Sequence, residues 1–247
     1  MGMRNDWEQL YLLQDWVLAQ IRQVTHSFYL TSETALSRGY YEHRYSEDLD
    51  FFLNDAPDFQ LSRDRCLSGL QQAVAAQGWR VEIILREERF GRAFVHGPIP
   101  LKLEFINDVP FRVGHPWEHP VLGLLDTKEN ILANKLSALL DRQEPKDLAD
   151  IFWLCCRDQL DLVAAIDQAG GKAAGVFPPA IARLWRTACN WGFPEWRGAS
   201  PRPSRSFAMG SIRSSDGSWI DTSPGYASGL RVRRYGSSRL LNSFSRR

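Results

Sequence analysis

The chain has 247 residues, of which 44% are hydrophobic and 24% are charged, and this composition is typical of a globular protein. Residues 1–196 carry 20 basic and 27 acidic residues, a net charge of −7, which argues against a broad nucleic-acid-binding surface on this part of the chain. The absence of an apolar run of about 20 residues argues against a membrane span. The first residues lack the apolar centre of a signal peptide and the four cysteines form no CxxC pair, so we expect a cytoplasmic protein with reduced thiols.

Helical and strand patterns alternate along the first half of the chain. The predicted helices cover residues 7–25, 33–41 and 61–77, and the predicted strands cover residues 28–30, 48–53, 80–87, 89–96 and 101–106. Thr31 or Ser32 is expected to cap the second helix, and Gly78 is expected to end the third.

The second half of the chain is predicted to be mostly helical. Residues 107–126 contain three prolines and are expected to be irregular. The predicted helices that follow cover residues 127–140, 145–157, 160–168 and 179–190. A small mixed sheet followed by a helical half indicates an α+β (mixed α/β) fold rather than a doubly wound sheet. We expect a core domain over residues 1–126 and a helical subdomain over residues 127–196.

Residues 197–247 differ in composition from the rest of the chain. They contain thirteen serines, ten arginines, no lysine and two aspartates, which gives this segment a net charge of +8. A segment of this kind, without a sustained apolar period, is predicted to be disordered. It fits either an RNA-binding tail or a terminal artefact such as an out-of-frame reading of GC-rich DNA, and we favour the second interpretation.

The residues that most clearly indicate chemistry are Asp48 and Asp50. Because strand side chains alternate between faces, both carboxylates project from the same side of the predicted strand. Two neighbouring carboxylates repel each other unless a cation lies between them. A hard divalent cation, Mg²⁺ or Mn²⁺, is the usual partner and leaves room for substrate phosphates. The pair therefore predicts a metal site for phosphoryl or nucleotidyl transfer.

Glu104 is a candidate third carboxylate, on a predicted strand whose apolar residues share the opposite face. If this strand lies beside the strand that begins at Asp48, the three carboxylates can converge on metal ions. Glu104 has an alternative role, an ion pair with Lys102 or with a surface arginine. The residues alone leave both roles open.

Five groups of residues follow one another along the chain: Thr34-Ala35-Leu36, Arg44-x-Ser46-x-Asp48-Leu49-Asp50-Phe51-Phe52, Glu104, Lys135-x-x-Ala138-Leu139 and Arg142-x-x-x-Lys146-Asp147-x-x-Asp150. In this order they resemble the AbiEii/AbiGii abortive-infection toxin family, a branch of the polymerase-β-like nucleotidyltransferases. The resemblance implies a metal-dependent toxin that transfers a nucleotide from an NTP to an RNA acceptor, such as a tRNA. It also implies a cognate antitoxin that restrains the enzyme.

The resemblance assigns roles to single residues as well. The matches are Asp48, Asp50 and Glu104 to metal ligands, Lys135 to a phosphate-contacting lysine, Asp147 to a catalytic acidic residue, and Ser32, Glu33, Thr34 and Ser46 to the nucleotide-binding segment. Three alternatives stay open: Lys135 could lie on a solvated helix face, Asp147 could favour a helix N-terminus, and Ser46 could stabilise a turn.

The chain departs from the family pattern at Ser32-Glu33, where the family carries two glycines. Glycines let a backbone approach a triphosphate closely, whereas a Glu33 carboxylate would repel it unless the side chain points away or caps the next helix. An alternative reading is therefore a catalytically weakened or decayed homologue that acts as a binding protein. A third reading, an aminoglycoside-type nucleotidyltransferase, shares the acidic residues but modifies a small molecule.

Overall fold

The computed structural model describes residues 6–142 and 144–177, together with Pro179 and Ile181. Beyond these it describes three short strands, which are β8 (Ser211–Arg213), β9 (Trp219–Asp221) and β10 (Val232–Arg233). The described part of the chain is an α+β protein built on a seven-stranded mixed sheet, and this confirms the predicted fold class.

The helices of the described residues are α1 (Trp7–Val24), α2 (Ser32–Thr34), α3 (Phe59–Ala75), α4 (Lys128–Asp141), α5 (Pro145–Phe152) and α6 (Leu162–Gly170). α2 continues as a π-helical segment over Ala35–Tyr41, and α5 continues as another over Trp153–Arg157. The strands of the main sheet are β1 (Tyr29–Leu30), β2 (Asp48–Asn54), β3 (Arg80–Arg86), β4 (Phe90–His96), β5 (Pro100–Asp108), β6 (Trp117–His119) and β7 (Gly123–Leu125).

The sheet has the strand order β3-β4-β5-β2-β1-β7-β6. β2 runs parallel to β5 and β1 runs parallel to β7, whereas the other neighbours are antiparallel. Buried and partly exposed residues alternate along β2 and β5. The buried set, which includes Leu49 and Leu103, joins a hydrophobic core with α1 and α3. The alternate set is left on the opposite face of the sheet, and this face carries the candidate site.

Helix α1 illustrates how the sequence pattern produces this core. Leu13, Val17 and Ile21 recur every four residues, and all three are buried in the core on one side of the helix. Asp6 caps the helix by accepting a hydrogen bond from the Gln9 amide at 3.1 Å.

The prediction that residues 107–126 are irregular is wrong in part. Strands β6 and β7 pair with each other there, and β7 joins the sheet beside β1. Strands of three residues are too short to show an alternating pattern, and Pro116 and Pro120 give the segment the composition of a loop.

Thr31 occupies the N-cap position of α2, as predicted, but its side chain makes no capping hydrogen bond. The Thr31 hydroxyl instead donates to the buried Asp126 carboxylate at 2.6 Å. Asp126 lies just before α4, so Thr31 ties the end of β1 to the start of the helical half.

Two predictions lie largely outside the described residues, namely the helix at residues 179–190 and the disordered tail at residues 197–247. Within the tail, β8, β9 and β10 form an antiparallel sheet. The buried apolar residues of the described part form one cluster that includes the sheet and α4 to α6, and the boundary at residues 126–127 stays a prediction. No helix in the described part is long and apolar enough to cross a membrane.

Candidate active site

The parallel pairing of β2 with β5 brings three carboxylates onto one face of the sheet. Asp50 is paired with Glu104, and Asp48 is paired with Lys102. Because paired residues of neighbouring strands project from the same face, all four side chains lie on the face opposite the core. The expectation that these two strands lie side by side is confirmed.

Two basic side chains already neutralise part of this acidic cluster. Lys102 Nζ lies 2.8 Å from Asp48 Oδ2 and 3.4 Å from Glu104 Oε1. Arg92 Nη2, on β4, lies 2.7 Å from the same Glu104 oxygen. The alternative role of Glu104, an ion pair with Lys102 or an arginine, is therefore present in the structure, and its role as a metal ligand stays a prediction. Glu104 both shares the face of the aspartates and is held by two cations.

Asp50 has fewer partners for its carboxyl oxygens than Asp48 or Glu104 has. Its Oδ1 atom is buried and has no hydrogen-bond partner. Burial, together with the negative charges of Asp48 and Glu104, raises the pKa of Asp50 to about 8. A buried acceptor in this state costs free energy unless a cation or a donor reaches it.

The donor set suits a hard divalent cation by its chemistry, because carboxylate oxygens are the ligands that Mg²⁺ prefers and Asp50 Oδ1 is unpartnered. The side chains as placed do not form a closed cage, since among the described residues no three His, Cys, Asp or Glu side chains are positioned to hold a metal ion. Lys102 and Arg92 engage oxygens that a cation would need. Metal binding at this face therefore requires these basic side chains to turn aside.

The segment from Ser32 to Thr34 enters this face from β1. Ser32 has a φ of 59°, in the left-handed region that favours glycine. The Thr34 hydroxyl lies 2.6 Å from Ser46 Oγ and also donates to the Asp48 carbonyl. Thr34 and Ser46 are both buried and bonded to each other, so in this structure they support the start of β2.

Glu33 points into a cluster of basic side chains. Its carboxylate lies 2.7 Å from Lys146 Nζ, 2.9 Å from Arg44 Nη1 and 4.0 Å from Lys135 Nζ. Burial alone would raise the pKa of Glu33, but these cations outweigh burial and lower the pKa to about 2. The carboxylate is therefore ionised at neutral pH and already surrounded by positive charge.

Lys135 lies at the centre of a buried ion-pair network. Its Nζ contacts Asp147 Oδ1 at 2.7 Å and Asp150 Oδ2 at 2.8 Å, and only 3% of its side chain is exposed. The alternative placement of Lys135 on a solvated helix face is therefore wrong. Burial alone would lower the pKa of Lys135, but the surrounding carboxylates raise it, so the ammonium stays charged. In this conformation both aspartates engage that charge.

Asp147 lies at a helix N-terminus, as one of its two predicted roles required, and its catalytic role stays a prediction. It is fully buried in the first turn of α5, where a negative charge suits the helix dipole. Besides Lys135, it accepts a hydrogen bond from Arg142 Nε at 3.2 Å. The residue therefore links α4, the connection after α4, and α5.

A cleft of about 320 Å³ opens on the same side of the sheet. Phe52 and Ile106, which are paired across β2 and β5, line one part of the cleft. Ser32 and residues of α4 line another part. Its lining includes three basic residues, Lys135, Arg142 and Lys172. This volume is within the range of pockets that bind small molecules.

Residues 34–187 match the family model described as nucleotidyl transferase AbiEii toxin, type IV TA system. This chain belongs to the AbiEii family. The matched range covers more than half of the chain and includes the motifs that suggested the resemblance. As an AbiEii protein the chain is a nucleotidyltransferase of a toxin–antitoxin family.

The AbiEii chain is also similar to several solved structures. A candidate nucleotidyltransferase from H. pylori is 21% identical, with 74% of this chain and 84% of that chain covered and a TM-score of 0.49. The Megavirus polyadenylate synthase is 13% identical, with 64% and 33% covered and a TM-score of 0.46. An antigenic nucleotidyltransferase-like protein from Paracoccidioides brasiliensis is 12% identical, with 74% and 90% covered and a TM-score of 0.46. No curated protein matches the chain.

Asp150 belongs to the same buried ion-pair network as Lys135, and no role was predicted for it. Its buried carboxylate accepts hydrogen bonds from Arg44 at 2.7 and 2.9 Å and lies 2.9 Å from His43 Nε2. Asp147 and Asp150 are three residues apart on α5, a spacing that puts both on one helix face. This spacing is the signal in the sequence that could have identified Asp150.

Proposed function

We propose that this chain transfers a nucleotide from an NTP to an RNA acceptor, such as a tRNA, using Mg²⁺ or Mn²⁺ held by Asp48, Asp50 and Glu104. The observation that carries the proposal is the buried, unpartnered Asp50 Oδ1 beside two further carboxylates on one sheet face. The family match supports nucleotidyl transfer and a toxin role under the control of a cognate antitoxin. The reaction would take place in the cytoplasm, where both NTPs and RNA are available.

The roles of the residues follow from their positions. A bound metal ion would supply Lewis-acid activation of the phosphoryl group and the attacking hydroxyl. Lys135 neutralises phosphate charge once a phosphate competes with its aspartate partners, and Asp147 positions this lysine. Thr34 and Ser46 hold the start of β2, and the cleft beside Ser32 accommodates the nucleoside.

Transfer is tested by incubating the protein with RNA and a radiolabelled NTP in the presence of Mg²⁺. Asp48→Asn, Asp50→Asn and Glu104→Gln each replace an ionisable carboxyl group by an amide of the same shape. Each is expected to lower RNA labelling by about a hundredfold or more, because the metal loses an anionic ligand. Undiminished labelling by the Asp48 and Asp50 variants would reject the proposed metal site.

Asp64→Asn is a matched control for these variants. Like Glu104, Asp64 pairs with two basic residues, but it lies on α3, on the other side of the sheet. It should keep full labelling activity. Replacing the RNA by an aminoglycoside tests the small-molecule alternative, and we expect labelled RNA and an unlabelled aminoglycoside.

The position of Glu33 favours a second candidate function, a weakened or decayed homologue that acts as a binding protein. Arg44 and Lys146 are engaged by Glu33 before any phosphate arrives. A decayed protein would show no change of melting temperature with Mg²⁺ and NTP, whereas a competent one is stabilised by its ligands. A gain in NTP affinity of Glu33→Gly would identify a weakened rather than a lost site.

A further inference from the structure

The face of the sheet that carries the carboxylates continues across two further strands. Antiparallel pairing of β4 with β5 places Phe94 beside Lys102 and Arg92 beside Glu104. Pairing of β3 with β4 places Arg80 beside His96. Since paired residues share a face, the alternate side chains Phe90, Arg92, Phe94 and His96 of β4 continue the Asp48 and Asp50 surface.

Basic and aromatic groups are interleaved on this part of the sheet, and one carboxylate lies among them, since Glu82 is paired with Phe94 and its Oε2 atom lies 2.6 Å from His96 Nε2. The rings of Phe94 and His96 are stacked, with centroids 6.1 Å apart and an interplanar angle of 29°. The Arg92 guanidinium lies 5.3 Å from the centroid of the Phe90 ring. Arg80 is exposed, and the Arg92 and Lys102 side chains are 38% and 33% exposed. We call the set Arg80, Phe90, Arg92, Phe94, His96 and Lys102 the β4 face.

The two partly exposed cations of the β4 face now serve as counter-charges for the acidic cluster. Lys102 pairs with Asp48 and Arg92 pairs with Glu104. A metal ion at those carboxylates would take over the neutralising role and leave both cations available to another anion. The nearest anion in a transfer reaction, apart from the nucleotide, is the backbone of the acceptor.

We propose that the β4 face binds the single-stranded 3′ end of the RNA acceptor, with phosphates on Arg80, Arg92 and Lys102 and a base stacked on Phe94. This inference rests on the proposed function, because it names the place where that acceptor docks. β4 is two strand spacings from β2, or about 10 Å, so an RNA end lying on β4 can bring its terminal hydroxyl to the carboxylates. A single strand is favoured over a duplex because only unpaired bases can stack on a side-chain ring.

The test measures binding of a 5′-fluorescein-labelled single-stranded RNA by fluorescence anisotropy, with Mg²⁺ and separately with EDTA. Phe94→Leu keeps an apolar side chain but loses the aromatic ring, and Phe94→Ala also removes most of its volume. Both are expected to weaken RNA binding by about tenfold, in the range of one lost base–aromatic stack. Phe94→Leu keeps the test informative if the alanine variant does not fold.

Arg80→Gln tests the phosphate contact separately. Besides weakening binding, it is expected to reduce the slope of log affinity against log salt concentration by about 0.7, the value for one lost phosphate contact on a single strand. A merely structural role of Arg80 would leave this slope unchanged.

Matched controls come from α3, which packs on the opposite face of the sheet, where Gly91 lies against Arg63. Leu61 is 53% exposed and Arg65 is exposed on this helix, so Leu61→Ala removes an exposed apolar side chain and Arg65→Gln removes an exposed guanidinium group. Both controls should bind RNA as the unaltered protein does.

The outcomes separate this inference from the proposed function. If the unaltered protein labels RNA while the Phe94 and Arg80 variants bind RNA as tightly as the α3 controls, the β4 face is not the docking surface and the proposed function stands. If a blunt-ended duplex binds as tightly as the single strand, the single-strand assignment is overturned. If the unaltered protein neither binds nor labels RNA, the proposed acceptor itself is wrong.

Discussion

Glu33 shows how the neighbours of a residue in the fold change the effect of its charge. A carboxylate in a triphosphate-binding segment would repel its ligand if it were free. In the fold it is held by Arg44 and Lys146 and lies near Lys135. The sequence could not reveal this arrangement, because the three cations come from distant positions that only the packing of α4 and α5 brings together.

Loss of the Glu33 charge should destabilise the protein in a pH-dependent way. The folded-state pKa of about 2 lies below the ordinary value of 4.5, so ionised Glu33 stabilises the fold above about pH 4.5 and this contribution disappears as the pH falls toward 2. We expect Glu33→Gln to lower the free energy of unfolding by about 3 kcal/mol at pH 7 and by less than half of that near pH 3. Urea denaturation at the two pH values measures both numbers.

Glu118→Gln is the control for this prediction, since Glu118 pairs with Arg22 at an exposed position. Its effect on unfolding should stay below about 0.5 kcal/mol at pH 7. Equal stability of Glu33→Gln and the unaltered protein at pH 7 would contradict the buried ion pairs.

The backbone of Ser32 has a strained conformation that glycine would adopt without strain. With a φ of 59°, its Cβ lies close to the following carbonyl oxygen, a strain of about 1 kcal/mol or more. Ser32→Gly is therefore expected to raise the free energy of unfolding by about 1 kcal/mol. Ser68→Gly, at an exposed position inside α3, should instead lower it by about 0.5–1 kcal/mol. Destabilisation by both substitutions would show that the Ser32 side chain contributes more than its backbone strain costs.

At the scale of elements, the pair of β2 and β5 was the most predictable part of the site. Alternation along each strand was sufficient to place Asp48 with Asp50 and to place Glu104 opposite the core. The pairing partner of each strand was not predictable, because strand neighbours are chosen by the packing of the whole sheet. For the same reason the sequence could not decide between metal and ion-pair roles for Glu104, and the structure shows Arg92 and Lys102 beside it.

The ion pair across β2 and β5 makes a prediction about metal affinity. Lys102→Met removes the ammonium that competes with a cation for the Asp48 carboxylate. We expect Mg²⁺ to raise the melting temperature of this variant more than that of the unaltered protein. Lys128→Met is the control, because Lys128 pairs with Asp158 away from the carboxylates. A smaller Mg²⁺ effect in Lys102→Met than in the control would contradict competition at this site.

On the scale of the whole molecule, the sequence predicted the order of sheet-rich and helical halves but not how closely they are joined. Composition and periodicity report local structure, whereas the packing of the two halves depends on contacts between residues far apart in the chain. Tyr41 bonds to Asp158, and Arg44 bonds to Asp150. The buried apolar side chains of both halves also belong to one cluster in the described part.

These contacts between the two halves predict that residues 1–126 do not fold alone. Ile131, Leu132 and Leu136 of α4 are at most 1% exposed, and removing them would expose the apolar surface that they cover. We expect the fragment to show no cooperative thermal transition by circular dichroism. Adding residues 127–247 as a separate chain should restore the transition. A fragment that unfolds cooperatively by itself would establish residues 1–126 as an independent domain.

The arrangement around Asp150 has a consequence for how ligands enter and leave. This carboxylate is held from the segment after α2 by His43 and Arg44 and from α4 by Lys135, all in the protein interior. A hinge motion between the halves would break several buried ion pairs at once and leave their charges without partners. Turnover should therefore be governed by side-chain rotations at the rim of the cleft rather than by large-scale opening and closing.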